Sequence, residues 1–87
     1  MEKEVVIKNK SGLHARPAAQ FIAFAKKYTE KIRVFKGDQS APATSLLSIL
    51  GLGISPGDTV RLQVEGDKAA QVLSELAEFL EKLAYEE

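Results

Sequence analysis

The order of periodicities along this chain predicts an α+β fold, a four-stranded antiparallel sheet with three helices on one face in the order βαββαβα. Three observations carry that prediction. Val60, Leu62 and Val64 alternate with Arg61, Gln63 and Glu65, the pattern of a strand with one dry and one wet face. Elsewhere the apolar residues recur at helical intervals, as in Val72, Leu73, Leu76, Ala77, Leu80 and Leu83. Gly37-Asp38 separates two strand-like runs by only two residues, which makes them an antiparallel hairpin.

Each element then has its own justification. The β-branched run in Glu4-Val5-Val6-Ile7-Lys8 predicts the first strand, and Asn9-Lys10-Ser11-Gly12 the loop that leaves it. Pro17 lacks an amide proton and is tolerated only in the first turn of a helix, so it marks where helix one begins. That helix is expected from about Ala15 to Tyr28, burying Pro17, Phe21, Ile22, Ala25 and Tyr28. Lys31 to Lys36 alternates as the second strand, and Gln39 to Ala43 forms the third. Thr44 or Ser45 caps a short second helix that runs through Leu52 and is ended by Gly53. Ser55-Pro56-Gly57-Asp58 is a turn into the fourth strand. Asp67 is expected to cap the last helix, in which Ala69, Val72, Leu73, Leu76, Ala77, Leu80 and Leu83 recur at helical intervals.

The same reading puts the only histidine, His14, at or beside the N-cap of helix one, with Arg16 two residues on. Unpaired amides at Ala15 and Arg16 and the positive end of the helix dipole favour an anion there. Imidazole is the side chain whose neutral, nucleophilic form is available near pH 7. Arg16 offers a planar fork of donors suited to phosphate oxygens. A cation in a first turn runs against the dipole, which is mildly costly unless an anion lies nearby. The bland alternatives are a surface histidine, a capping turn at Gly12 and Pro17, and a plain N-cap at Ser45. Which ring nitrogen reacts is not readable from these residues.

Gly12-Leu13-His14-Ala15-Arg16-Pro17-Ala18, followed by Ala19-Gln20-Phe21, resembles the phosphocarrier family HPr of the bacterial phosphotransferase system. Thr44 to Ile54 resembles the family's serine-containing helix, and Gln63-Val64-Glu65-Gly66-Asp67 the strand end before its last helix. The resemblance covers the whole chain and implies the family's open-faced β-sandwich. It implies that His14 takes a phosphoryl group, on its pros nitrogen, from enzyme I and phosphoenolpyruvate, then passes it to the A domain of a sugar-specific enzyme II. Arg16 and Pro17 correspond to its active-centre neighbours. Ser45 matches a regulatory serine, phosphorylated where the host has an HPr kinase. Thr44 stands where many members have lysine, and Ala23 and Phe24 replace polar residues common on helix one.

Length and composition agree. At 87 residues the chain is expected to form one domain, 1–87, without room for a deep catalytic cleft. No cysteine and a single histidine argue against a metal centre, and no cofactor is expected. Met1-Glu2-Lys3-Glu4 leads into an apolar run too short for a signal peptide or membrane span, so a soluble, cytoplasmic monomer is expected. Net charge is zero, yet residues up to Thr44 carry nine Lys or Arg against four acids, and those from Ser45 onward three against eight. Arg16, Lys26 and Lys27 are placed to steer acidic partners, and Leu46 and Leu47 to dock them, while Ile49 and Leu50 read as core. The alternatives are a carrier of the nitrogen-related branch, a regulatory partner without a carrier role, and a nucleic-acid binder. Scarce aromatics and the acidic second half oppose the last of these.

Overall fold

Seven elements appear in the predicted order: β1 (Glu2–Val6), α1 (Ala15–Ala25), β2 (Lys31–Lys36), β3 (Gln39–Pro42), α2 (Leu46–Gly51), β4 (Thr59–Glu65) and α3 (Ala69–Glu86). They belong to a computed structural model that describes residues 1–86. The sheet is antiparallel with strand order β1-β4-β2-β3, so the last strand in the chain lies between the first two. Its register sets Val5 against Val60, Leu62 against Val34 and Val64 against Ile32. Every second side chain of β4 is therefore aimed at the helices. Val60, Leu62 and Val64 are completely buried there with Phe21, Ile49 and Leu76.

Helix α1 buries Pro17, Ala18, Phe21, Ile22 and Ala25. It packs on both α2 and α3. Phe24 stacks on Phe79 of α3, with ring centroids 4.6 Å apart, and meets Tyr28 edge-on. The hairpin at Gly37-Asp38 forms as expected. Gly37 alone takes positive φ (59°), the pattern of a type II′ turn, whose twist suits the flanking strands.

Some boundaries differ from the sequence reading, each for a physical reason. Strand β1 runs from Glu2 to Val6 rather than from Glu4 to Lys8, because pairing with β4 decides its extent and not its apolar content. Ile7 stays buried, but its backbone bonds the turn residues Gly57 and Asp58. Helix α1 ends at Ala25, where Lys27 and Tyr28 donate to the carbonyls of Phe24 and Ala25 in a tighter i→i+3 turn. Tyr28 still packs against the core. Asp67 is not the cap of α3. The Lys68 carbonyl accepts the first helical bond, from Val72, after a turn closed by Gly66 and Ala69, which moves the helix start one residue on.

Candidate functional site

The segment between β1 and α1 is built from the backbone outward. Ile7 donates to the Asp58 carbonyl at 2.9 Å and accepts from Gly57 at 2.7 Å, pinning the exit of β1 to the 55–58 turn. Asn9 then closes a turn by accepting the Gly12 amide at 3.1 Å. Gly12 sits at φ 61°, and a Cβ there would collide with the carbonyl oxygen of Ile54, so only glycine fits. Leu13 is buried and donates to Ile54 at 3.1 Å. The chain is fixed on both sides just before His14.

His14 is the N-cap of α1, in extended conformation at φ −94° and ψ −173°. Its carbonyl accepts the Ala18 amide at 2.9 Å, but its side chain makes no capping bond and is exposed. The free amides at the helix start are therefore left to other partners. Ala15 and Arg16 are exposed at that end, whereas Pro17 is buried and begins the apolar face. No acidic residue occupies the first turn, and among the described residues no carboxylate pairs with Arg16. Dipole and guanidinium thus add with no acid in the first turn to offset them, which is an electrostatic invitation to an anion.

Ser45, rather than Thr44, caps α2: its hydroxyl accepts from the Ser48 amide at 3.3 Å and donates to Ser48 Oγ at 2.9 Å. Leu46 and Leu47 are exposed, Leu47 by 82 %, whereas Ile49 is buried and Leu50 packs against the core. Helix α2 lies beside α1, and the loop leaving it supplies the Ile54 carbonyl that holds Leu13. Lys26 is not gathered with His14. It caps the opposite end of α1, roughly 18 Å along the axis. Lys27 lies over the Phe24 ring, 4.3 Å from its centroid.

A second cluster, not foreseen from sequence, braces the loop behind the site. Lys36 pairs with Asp58 at 2.9 Å and donates to the Gly53 carbonyl at 2.7 Å, while the Ser55 amide donates to Asp58 Oδ2 at 2.8 Å. The Ser55 amide first, and then Lys36, hold the Asp58 carboxyl below the usual carboxylate range. Ser55-Pro56-Gly57-Asp58 signalled the turn, but nothing local pointed to Lys36. Asn9 was equally silent, one polar residue within a polar loop. Among the described residues no group of three or more His, Cys, Asp or Glu is placed to hold a metal ion, and no helix is long and apolar enough to cross a membrane.

Comparison with known proteins gives this geometry its context. A family model described as the PTS HPr component phosphorylation site matches residues 1–82. The chain is 38 % identical over 82 residues to the phosphocarrier protein HPr of Haloferax volcanii, covering 92 % of each. It is 37 % identical to the HPr-like protein Crh of Halalkalibacterium halodurans, over 94 % of this chain and 98 % of that one. A crystal structure of HPr from Thermoanaerobacter tengcongensis superposes with a TM-score of 0.93 at 40 % identity, covering all of this chain and 98 % of the other. With fold, motif and sequence in agreement along its length, the chain belongs to the HPr family, the phosphocarrier proteins of the phosphotransferase system.

Proposed function

We propose that His14 is the phosphoryl acceptor and that the protein shuttles the group from enzyme I, charged by phosphoenolpyruvate, to the A domain of an enzyme II. The observation that carries this reading is the exposed His14 ring at the N-terminus of α1, near an Arg16 that has no carboxylate partner among the described residues, with no acid in the first turn. A lone pair on a neutral ring nitrogen attacks phosphorus as the bond from phosphorus to the donor's leaving atom breaks. The ring's other nitrogen keeps its proton through the attack. Amides at Ala15 and Arg16 and the Arg16 guanidinium stabilise the phosphoryl charge before and after transfer. The next protein's nucleophile then removes the group, and His14 returns to its starting state. This protein is a substrate of its partners rather than an independent enzyme, acting from one domain in the cytoplasm as a monomer without cofactor or metal.

The exposed Leu46 and Leu47 supply an apolar docking face, and Lys26 an outlying basic contact. Ser45 is a further modification point where the host has an HPr kinase, since its hydroxyl stands at the start of α2 and a phosphate there adds nearly two negative charges. The relationship to an HPr-like protein Crh favours one second reading, a regulatory partner controlled through Ser45. Incubation with purified enzyme I and phosphoenolpyruvate separates the two. One acid-labile phosphate should appear per chain and vanish in His14→Ala, and labelling that persists in the variant removes the site assignment. A purely regulatory protein would keep its activity after His14 is replaced.

A further inference from the structure

The peptide unit that joins Gly12 to Leu13 is held at both of its polar ends. Its carbonyl accepts Asn9 Nδ2 at 2.6 Å, and its N–H donates to the Ile54 carbonyl at 3.1 Å. A carbonyl oxygen only accepts, so the amide nitrogen of Asn9 is the end that faces it. Asn9 is a polar residue that is only 1 % exposed, and its own backbone carbonyl takes the Gly12 amide. Flipping the 12–13 peptide plane would break both bonds among buried residues, which buried polar groups resist strongly. His14 is the very next residue. Its ring is exposed and makes no capping bond that would fix its direction. The ring's direction is inherited from the backbone that precedes it.

We propose that Asn9 is a positioning residue for phosphoryl transfer: by clamping the Gly12 carbonyl it sets the backbone from which the His14 ring is presented to the phosphoryl donor. The proposal rests on the reading of His14 as acceptor. Asn9 touches no reacting atom, and its effect is to narrow the range of ring orientations, which attack on phosphorus requires. A merely structural Asn9 would affect stability alone.

The test compares Asn9→Ala with Val72→Ala, a cavity variant in α3 outside the site, by phosphorylation kinetics with enzyme I and by three-bond couplings that report χ1 of His14. In Asn9→Ala, kcat should fall about tenfold or more while KM stays within about twofold, the pattern of lost orientation rather than lost binding. The His14 couplings should move toward rotamer averaging. Val72→Ala should lose thermal stability with both readouts unchanged. Should Asn9→Ala fail to fold, Asn9→Leu, which is close to isosteric and has no donor, is read the same way. Parental kinetics in the Asn9 variant, unchanged couplings, or an equal rate loss in Val72→Ala would overturn the proposal. If the parent protein takes no phosphate at all, the carrier reading fails, whereas the couplings, measured on unphosphorylated protein, still decide whether Asn9 orients the His14 ring.

Discussion

Arg16 occupies a position that stability alone would not select. It is a cation in the first turn of α1, against the dipole and with no carboxylate partner among the described residues. Arg16→Ala should therefore leave the melting temperature unchanged or slightly higher while slowing phosphoryl transfer about a hundredfold, as loss of a charge-stabilising donor does. Normal transfer together with reduced stability would assign Arg16 a structural task instead. Tyr28 makes a different residue-scale prediction. Burial first, and then its 2.6 Å bond to Glu75, push the Tyr28 hydroxyl up to about 12. A raised folded value means the contribution to stability is whole below the ordinary tyrosine value of about 10. It is lost as pH rises toward about 12. Ultraviolet titration should show a phenolate step near pH 12 that Tyr28→Phe removes. The His14 motif was legible because the residues concerned are neighbours in sequence. Tyr28 and Glu75 are 47 positions apart, and no local pattern joins them.

At the scale of elements, α2 is too short to stand without help, and its cap matters. Ser45→Ala should cost about 1 kcal/mol in denaturant unfolding while transfer at His14 persists. A loss of transfer as large as that of His14→Ala would show that the serine belongs to the chemistry. Gly12→Ala should destabilise more, by about 1–3 kcal/mol, because it combines positive φ with a clash against Ile54. Element identity was readable from periodicity, since the buried face of each helix and strand recurs at a fixed interval. Element ends were less so. Strand β1 is trimmed by the reach of β4, and the start of α3 is set by the Gly66–Ala69 turn rather than by Asp67, the better capping residue.

For the molecule as a whole, the two halves of the chain, unequal in charge, are interleaved in one sheet. Strand β4, from the acidic half, is threaded between β1 and β2, where Arg61 stands 3.6 Å from Glu2, and Lys36 reaches Asp58 in the turn before β4. Because the Asp58 carboxyl titrates low, its contribution is present above the ordinary carboxylate range and is lost as pH falls through the folded value. Acid unfolding should accordingly begin at higher pH in Lys36→Met than in the parent, followed by circular dichroism. The sequence by itself determined the kinds of element, the hairpin, the buried faces and the His14-Arg16 cluster at a helix start. All of these depend on residues within one or two turns of each other, whose spacing is written directly into the chain. Only the tertiary structure decided that β4 lies between β1 and β2. It also decided that Lys36 braces the loop behind the site and that the Ile54 carbonyl holds the Leu13 amide. Such contacts bring together segments distant along the chain, and their geometry exists only once the sheet and its helices have packed.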